Sequence, residues 1–486
     1  MKADIRAALA LTTIVVASCN HSHDAASDAT PADVAPDDAS PPDGHTMTTG
    51  GIAVTPQFFG QHWSTIPEWP SISFGAGKFG PGIEWNTIEP SQGTYKFGSL
   101  DSWIVANALA GHQQDMTFMY AAIHTPSWAG GTGHRTSDLY TTLPNGCLYP
   151  PLKGAMITDC SLKEYLTAVL DHVCTGTAPH KTCSFTSWEL HNEVNANDTE
   201  WIDSYADLAQ MDADALATIK GQCESCIVLG ANVSAGGDGS HAAGNTSPEW
   251  DTFLIAYLAA WPDGAQMPDA LSWHPYPSRD NLVNIPFPET YAGSDCPAGA
   301  PNPVCRQTVV DQIQRIRQIA DAVPGMAGKP IWATEGGFVN TELVNANPTT
   351  QSELRAAYVA RYLLALASGG VAREFWYEWE DPTWGSEWDG GHITSVGIAN
   401  QQVYDWLVGN SLAGPCSNGG SGTVWTCSLT GPGGLVGSIV WDTAGTSTYA
   451  VPAEYLYWRD LTGPTKHPVS GTTYQIGISP ILLLNQ

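Results

Sequence analysis

The order of apolar and amphipathic segments constrains the fold of this 486-residue chain more than any other feature. From about residue 52 to residue 412, short apolar runs alternate about eight times with segments whose apolar spacing is helical. Strands that alternate with helices in this way predict a (β/α)8 barrel with enlarged loops. A doubly wound sheet is the competing arrangement, but no glycine-rich phosphate turn follows the first predicted strand.

The predicted strands and helices locate the segments in which catalytic residues are expected. The predicted strands are residues 56–60, 73–83, 115–123, 184–190, 227–233, 270–274, 330–334 and 373–377. The predicted helices are residues 100–112, 162–174 (with Ser161 as the N-cap), 205–220, 248–261, 308–323, 351–367 and 401–412. Active sites of such barrels lie at the carboxyl ends of the strands, so those ends are where catalytic side chains are expected.

The barrel region is predicted to span residues 51–412. The amino-acid composition and the apolar pattern change on both sides of it. Residues 413–486 contain short alternating strands between glycine-rich turns, which predict a small β-sandwich. The first residues after residue 50 can add a strand to it. Residues 19–50 are rich in Ala, Asp, Pro and Ser and contain no aromatic residue, so this segment is predicted to be a disordered tether.

The first 18 residues have the pattern of an export signal. Lys2 and Arg6 precede an apolar run that is too short to span a bilayer and that ends in Val16-Ala17-Ser18-Cys19. This resembles a bacterial lipoprotein signal peptide, and the resemblance implies cleavage before Cys19 and lipidation of Cys19. The alternative is an ordinary secretory signal with a chance cysteine. We expect an exported protein at the bacterial cell surface or in the periplasm, or a secreted one.

Eleven cysteines agree with an oxidising compartment. If Cys19 carries lipid, ten remain, and they fall in near-neighbour pairs: Cys147/Cys160, Cys174/Cys183, Cys223/Cys226, Cys296/Cys305 and Cys416/Cys427. Five local disulfides are the simplest interpretation, although spacing alone does not fix the pairing. The Cys223/Cys226 pair also has the spacing of a redox motif or half of a zinc site, but the sequence has no second such pair.

The charge of the chain restricts its partners. The sequence has 48 acidic and 19 basic residues, for a formal net charge of −29. The basic residues do not cluster, which argues against binding nucleic acid or docking electrostatically on anionic lipid. We therefore expect a neutral ligand and contact with a membrane only through the lipid anchor. No ligand cluster in the sequence suggests a metal, so we expect no metal or cofactor, and we expect a monomer.

Two glutamates supply the strongest functional indication. The fourth predicted strand ends in Ser187-Trp-Glu-Leu-His-Asn-Glu193, and the seventh ends in Ile331-Trp-Ala-Thr-Glu335-Gly-Gly. Two carboxyl groups that face each other across a barrel mouth suit glycoside hydrolysis, in which one protonates the leaving oxygen and the other attacks the anomeric carbon.

These residues resemble the conserved motifs of clan A of the retaining glycoside hydrolases. Asn192-Glu193 matches the Asn-Glu pair of that clan, which implies that Glu193 is the general acid/base and that Asn192 binds the sugar 2-hydroxyl. Thr334-Glu335-Gly336 matches the strand-seven motif, which implies that Glu335 is the nucleophile. The resemblance covers most of residues 56–405.

Within the clan, the chain is most similar to glycoside hydrolase family 39, which includes β-xylosidases, α-iduronidases and bacterial exopolysaccharide endoglycosidases. Residues 82–97 (Gly-Ile-Glu-Trp-Asn-Thr-Ile-Glu-Pro-Ser-Gln-Gly-Thr-Tyr-Lys-Phe) and Thr125-Pro-Ser-Trp128-Ala carry this similarity. One position departs from the pattern, because Lys78 stands where relatives often carry an arginine near strand two. A lysine cannot form the forked hydrogen bonds of a guanidinium group.

Aromatic residues at other strand ends are candidates for contact with the sugar. His274 or Tyr276, after strand six, is expected to hydrogen-bond Glu335, as the clan's strand-six residue does; the alternative is a residue that packs in the loop. Trp376 resembles the tryptophan on which clan members stack the sugar, and an aromatic ring suits the C–H face of a sugar. Trp128, Trp384 and Trp388 are candidates for further subsites, with packing in the loops as the alternative.

Four polar residues are weaker candidates. His62 after strand one and His124 after strand three point at the same mouth, so each is a candidate for binding sugar hydroxyls or for a packing role. Glu378 is either a third active-site acid or part of a loop salt bridge. Glu189, inside strand four, is interpreted as a structural carboxylate of the barrel core.

Together these features predict a retaining β-glycoside hydrolase that acts on a poly- or oligosaccharide by double displacement. Two alternatives remain open at this point. One is a catalytically inactive surface lipoprotein that binds glycans, and the other is a transglycosylase with the same residues.

Overall fold

The computed structural model describes residues 45–48, 51–65, 69–80, 82–109, 115–118, 126, 128, 161–195, 204–235, 250–276, 288–289, 308–338, 348–381, 384–420 and 422–486. The predicted signal peptide, Cys19, most of the predicted tether, His124 and the cysteine pairs at 147/160 and 296/305 lie outside these residues. Among the helices of the described ranges, none combines the length and apolarity needed to cross a membrane.

Eight parallel strands form a closed barrel, as the sequence predicts. The strands are Phe59–Trp63, Ala76–Phe79, Asp115–Phe118, Ser187–Glu189, Ile227–Ser234, Ala270–His274, Ile331–Gly336 and Arg373–Trp376. Each strand pairs with the next in sequence, and the eighth pairs with the first through Phe375 and Gly60. The closed order excludes the doubly wound alternative.

The closing seam of the barrel explains one glycine. A Cβ atom on Gly60 would lie 2.4 Å from the carbonyl oxygen of Glu374 and 2.7 Å from the Phe375 ring. Only glycine therefore lets the first and eighth strands approach closely enough to pair. The first strand itself begins later than predicted, because Pro56 opens a 3-10 turn over Pro56–Phe58 and proline suits the first position of such a turn.

Helices follow the barrel strands in the alternation that the sequence predicts. They are Trp85–Ile88, Gly98–Leu109, Ser161–Val173, Tyr205–Gln222, Trp250–Ala259, Val309–Asp321, Pro348–Ser368 and Ser395–Leu407. Most helix boundaries differ from the predicted ones by one to three residues, and the helix Trp85–Ile88 was not predicted. Ser161 is the first helical residue rather than the N-cap. The last helix, predicted at 401–412, begins earlier because the Thr394 hydroxyl accepts hydrogen bonds from the Val396 and Gly397 backbone amides.

The C-terminal region forms a two-layer β-structure. Its larger sheet is antiparallel, with the strand order His45–Thr48, Gly51–Val54, Ser411–Leu412, Val424–Gly431, Leu435–Asp442, Ile481–Leu484, Tyr457–Arg459 and His467–Pro468. A second sheet pairs Ser447–Ala450 with Thr473–Ile476. The two sheets share a buried cluster of Val440, Val451, Ile476, Ile481 and Leu483. The described residues also contain two short antiparallel pairs of strands. Cys174–Thr175 pairs with Thr182–Cys183, and Trp388–Asp389 pairs with His392–Ile393.

The start of the described chain belongs to this C-terminal sheet. His45–Thr48 lies inside the predicted tether, and Gly51–Val54 lies inside the predicted barrel region, yet both are strands of the larger sheet. Ile52 and Val54 alternate with less buried neighbours, which gives this segment one apolar face to pack. The barrel therefore begins after Val54, and the sandwich contains residues from both ends of the described chain.

Within the described ranges, disulfides close three local loops. Cys174 bonds to Cys183, Cys223 to Cys226, and Cys416 to Cys427, as predicted from their spacing. Because Cys223 and Cys226 are bonded to each other, neither thiol is available as a zinc ligand.

Candidate active site

Glu193 and Glu335 lie at the same end of the barrel, but one follows a strand and the other lies within one. Glu335 lies within strand seven, whereas Glu193 follows strand four in a turn and has a left-handed backbone with φ of 45°. The backbone amide of Glu193 donates to the side-chain oxygen of Asn232 at 2.9 Å, and that of Val194 donates to the Asn232 carbonyl at 3.1 Å. Strand five therefore fixes the turn that carries Glu193.

A β-bulge puts Asn232 in this position. Strand six pairs Ser272 with Ala231 but Trp273 with Val233, so Asn232 is the extra residue, and its φ is 49°. Its side-chain amide nitrogen donates to Glu189, whose carboxylate is buried. The sequence analysis missed Asn232. The available indication was a single amide side chain in an otherwise largely apolar strand.

The two glutamates lie close together. One carboxylate oxygen of each, together with a ring nitrogen of His274, forms a group whose atoms all lie within 4.8 Å of one another. The Nδ1 atom of His274 is 2.8 Å from Glu193 Oε1 and 3.3 Å from Glu335 Oε2. Retaining glycosidases hold their carboxyl groups about 5–5.5 Å apart, and inverting ones about 6.5–9.5 Å apart. The nearest oxygens of the pair are therefore closer together than the inverting separation.

Strand six brings both of its predicted residues to Glu335. The Tyr276 hydroxyl donates to Glu335 Oε2 at 3.3 Å, and His274 contacts both glutamates. Burial, reinforced by the negative charge of Glu335, raises the pKa of Tyr276 well above its usual value. Tyr276 therefore keeps its proton and acts as a hydrogen-bond donor to the carboxylate.

Lys78 connects the second strand to this group. Its ammonium group lies 2.6 Å from Glu189 Oε2 and 3.6 Å from Glu335 Oε1, and it donates to the Thr334 carbonyl at 3.1 Å. The Lys78 side chain is fully buried. Glu189 therefore lies in the barrel core, where one ammonium group is shared by two carboxylates.

His62 and Glu378 form a neighbouring pair. Their closest atoms, His62 Nδ1 and Glu378 Oε2, are 3.1 Å apart, and the Ser64 hydroxyl donates to the same Glu378 oxygen at 2.9 Å. Burial lowers the pKa of His62 to about 3, so its ring is neutral, and burial raises the pKa of Glu378 to about 7. Glu378 therefore connects the segment after the eighth strand to the end of the first strand and the loop that follows it.

Asn192 and Trp376, two further residues predicted to bind sugar, differ in their exposure. Asn192 is partly exposed, and its side-chain oxygen has no hydrogen-bond partner among the described residues. The stacking prediction for Trp376 is wrong in this structure, because the ring is completely buried. It packs edge-to-face against Phe338 and Tyr362, and its Nε1 donates to the Gly385 carbonyl at 2.7 Å.

Other aromatic rings near Tyr276 keep an exposed surface. Trp384 and Tyr377 are partly exposed, with ring centroids 5.2 Å apart, and Trp384 lies 5.7 Å from the Tyr276 ring. Trp384 is one of the predicted subsite residues, whereas Tyr377 was missed by the sequence analysis. These two rings, rather than Trp376, offer faces on which a sugar can stack.

The group formed by Glu193, His274 and Glu335 also consists of residue types that bind metal ions. The ammonium group of Lys78, 3.6 Å from Glu335, adds a positive charge that opposes binding of a cation. Hydrogen-bond donors from His274, Tyr276 and Lys78 already face the two carboxylates. The arrangement therefore fits two carboxyl groups that act directly on a substrate better than it fits a metal centre.

Comparison with known proteins relates the fold to solved structures. No protein-family model matches the chain, and no curated protein sequence matches it. A xyloglucanase of glycoside hydrolase family 44 from Paenibacillus polymyxa is similar with a TM-score of 0.52 and 12% identity, over 91% of this chain and 98% of that one. A family 44 endoglucanase from Clostridium acetobutylium is similar with a TM-score of 0.51 and 13% identity, over 89% and 97% of the two chains. The chain therefore has a fold that known glycoside hydrolases have.

Proposed function

We propose that the protein is a retaining β-glycoside hydrolase that acts on a poly- or oligosaccharide, with Glu335 as nucleophile and Glu193 as general acid/base. The short separation of the two carboxylates carries this proposal. An inverting enzyme needs about 6.5–9.5 Å between its carboxyl groups to hold a water molecule on the far side of the sugar. Oxygens within 4.8 Å of each other leave no such space.

The surroundings of the two glutamates support their separate roles. Glu335 is 6% exposed, accepts a hydrogen bond from the Tyr276 hydroxyl, and lies 3.6 Å from the Lys78 ammonium group and 3.3 Å from His274 Nδ1. These contacts hold the carboxylate in one orientation, as direct attack on the anomeric carbon requires. The Glu193 side chain is 17% exposed and lies on a turn, so it can reach both a departing sugar and incoming water.

The reaction proceeds in two displacements. A Glu335 oxygen attacks the anomeric carbon while Glu193 donates its proton to the glycosidic oxygen, so the C–O bond breaks and a covalent glycosyl-enzyme forms. Glu193, now a carboxylate, accepts a proton from a water molecule that attacks the same carbon. The Glu335 ester bond breaks, and the product has the configuration of the substrate. Asn192, next to Glu193 and partly exposed, is proposed to bind the sugar 2-hydroxyl.

The resemblance of residues 82–97 to β-xylosidases and exopolysaccharide endoglycosidases of family 39 is the basis for the choice of test substrates. The experiment is a screen of β-xylosides, xylan, xyloglucan and bacterial exopolysaccharides, with the products sized by chromatography. Turnover of at least one β-glycan is expected to disappear in Glu335→Gln and to fall about 10²–10⁴-fold in Glu193→Gln. Asp389→Asn, which changes an exposed carboxylate, is the matched control and keeps the wild-type rate.

Two outcomes of this screen separate the alternatives. Larger products that form in place of hydrolysis products, in the presence of a carbohydrate acceptor, identify a transglycosylase, because an acceptor hydroxyl then replaces water in the second step. Binding of a glycan without any product, measured by calorimetry, identifies an inactive binding protein. Either result contradicts the proposed hydrolase.

We propose further that the enzyme is exported, anchored by lipid at Cys19 and monomeric, and that its partner is a neutral carbohydrate and not nucleic acid. The signal-like segment ending at Cys19 and three disulfides in the described ranges support export. Labelling with a fatty-acid analogue should mark the wild-type protein and leave Cys19→Ser unmarked. Equal labelling of both proteins would contradict the anchor.

A further inference from the structure

A second cavity lies between the barrel helices and the C-terminal sheet. Its volume is about 380 Å³, within the range of about 300–1,000 Å³ that small-molecule sites occupy. The helices Val309–Asp321 and Pro348–Ser368 form one side, and the strands Val424–Gly431 and Leu435–Asp442 form the other. Among the described residues, none that lines it belongs to the site around Glu193 and Glu335.

Aromatic and apolar surfaces form two sides of this junction cavity. The Trp425 and Trp441 rings are stacked, with centroids 6.0 Å apart and an angle of 14° between their planes. Trp441 is buried and Trp425 is half-buried. Ile313 and Ala365 contribute apolar surface from the two helices. Flat aromatic and apolar surfaces of this kind suit the C–H faces of a sugar ring.

A buried carboxylate supplies the polar part. Glu289 Oε1 accepts hydrogen bonds from Trp441 Nε1 at 2.6 Å and from Arg361 Nε at 2.5 Å. The Glu289 side chain is 2% exposed, and its other oxygen, Oε2, has no hydrogen-bond partner among the described residues. Glu289 lines the cavity, and because buried acceptors are nearly always hydrogen-bonded, this oxygen is available to a donor.

The charge balance selects the class of ligand. Arg361, whose side chain is also buried, neutralises Glu289. Arg317, the other charged residue of the lining, is paired with Asp321 at 2.8 Å, so the lining offers an ionic ligand no unpaired charge. Gln314 and Gln318 are exposed at the rim, where their amides can both donate to and accept from hydroxyl groups. We propose that the junction cavity is a second carbohydrate-binding site, which takes a neutral sugar unit on the half-buried Trp425 ring and binds one of its hydroxyls through Glu289.

This proposal goes beyond hydrolysis and does not depend on it. A second site on the outside of the barrel would hold a polysaccharide to the protein while the barrel mouth acts on it, which raises the local concentration of substrate.

The test is isothermal titration calorimetry on the full chain carrying Glu335→Gln, with xylotetraose and cellotetraose as probes. Two binding events are expected if both sites take sugar. Trp425→Ala should weaken the event at the junction cavity about tenfold or abolish it, because it removes one aromatic surface. Trp458→Ala is the matched control, since it removes a partly exposed tryptophan of the same sheet that does not line the cavity.

A rim variant, Gln314→Ala, keeps the proposal testable if Trp425→Ala fails to fold. It should weaken the same event, because it removes an exposed amide from the rim of the cavity. If the barrel mouth does not bind sugar, a single event remains, and Trp425→Ala still weakens it. The proposal is overturned if folded Trp425→Ala and Gln314→Ala bind both probes like the control, or if galacturonate binds the cavity while neither neutral probe does.

Discussion

The ammonium group of Lys78 lies 3.6 Å from a carboxylate oxygen of Glu335, and both side chains are at least nine-tenths buried. The same ammonium lies 2.6 Å from Glu189. A lysine acts here as a single point charge rather than as the fork that an arginine would supply. One buried cation therefore orients the proposed nucleophile and also compensates a core carboxylate.

Replacing Lys78 should impair both turnover and stability. Lys78→Met is expected to lower kcat about 10²–10³-fold, because it removes a charge aimed at the reacting carboxylate. It should also destabilise the fold by about 3–5 kcal/mol, because Glu189 is left as an uncompensated buried charge. Steady-state kinetics and urea unfolding measure the two effects.

A double variant separates these two effects. Lys78→Met with Glu189→Gln removes both members of the ion pair, so it should recover stability but not kcat. Recovery of kcat in the double variant, or an unchanged kcat in Lys78→Met, would show that Lys78 acts only in the fold.

Asn232 should be required for placing Glu193. Asn232→Ala removes the acceptor for the Glu193 amide, so the carboxylate shifts and kcat should fall about 10²-fold. Ser234→Ala is the matched control on the same strand, because Ser234 contacts Asn195 only through backbone atoms in the described hydrogen bonds. Equal rates for the two variants would contradict the positioning role.

An external anion should distinguish the two glutamates. Glu193→Ala lacks the proton acceptor for water, so azide, which needs no deprotonation, should restore turnover of an aryl β-glycoside with an activated leaving group. The expected product is the β-glycosyl azide, because Glu335 still forms the covalent intermediate. Glu335→Ala should instead yield the α-glycosyl azide by direct attack. Nuclear magnetic resonance of the products identifies the anomers, and the opposite pattern would exchange the two assignments.

Glu387 should make stability depend on pH. Its carboxyl is fully buried, accepts from the Asn400 side chain at 2.6 Å, and has a pKa that burial raises to about 8. The folded protein therefore holds a proton that the unfolded chain, with a pKa of about 4.3, has released. This contribution is fully present below about pH 4.3 and is lost as the pH rises through about 8.

Glu387→Gln removes this titration. Between pH 5 and pH 8, the free energy of unfolding should fall less steeply in the variant than in the wild type, as measured by urea unfolding at about one-unit steps. Parallel curves for the two proteins would contradict the assignment. Glu374 and Glu378, whose pKa values burial also raises, account for the slope that remains.

The strands of the barrel were predictable because each is a short apolar run bounded by polar loops. The predicted segment 270–274 coincides with the strand Ala270–His274. Boundaries were less predictable where local chemistry competes with the pattern, as at the Pro56 turn and the Thr394 cap. The strand Gly51–Val54 agrees with the expectation that the first residues after residue 50 add a strand to the sandwich. The strand His45–Thr48 was assigned to the tether, because only its pairing with Gly51–Val54 makes it part of the sheet.

The residues of the candidate active site also differ in how far the sequence predicts their roles. Glu193 and Glu335 could be predicted because they stand at the carboxyl ends of strands, in motifs that resemble those of known enzymes. The role of Asn232 depends on a bulge that arises only from pairing with strand six. The burial of Trp376 depends on Phe338 and Tyr362, which precede it in the sequence and pack on it only in the folded barrel.

Trapping the covalent intermediate tests the central claim most directly. A 2-deoxy-2-fluoro β-glycoside of the preferred sugar, with a good leaving group, forms the glycosyl-enzyme quickly but releases it slowly, because the fluorine destabilises the positively charged transition state. Mass spectrometry of the digested protein should find one added sugar on the peptide that contains Glu335, at Glu335 itself. A sugar attached to another residue, or inactivation without any attached sugar, would contradict the account.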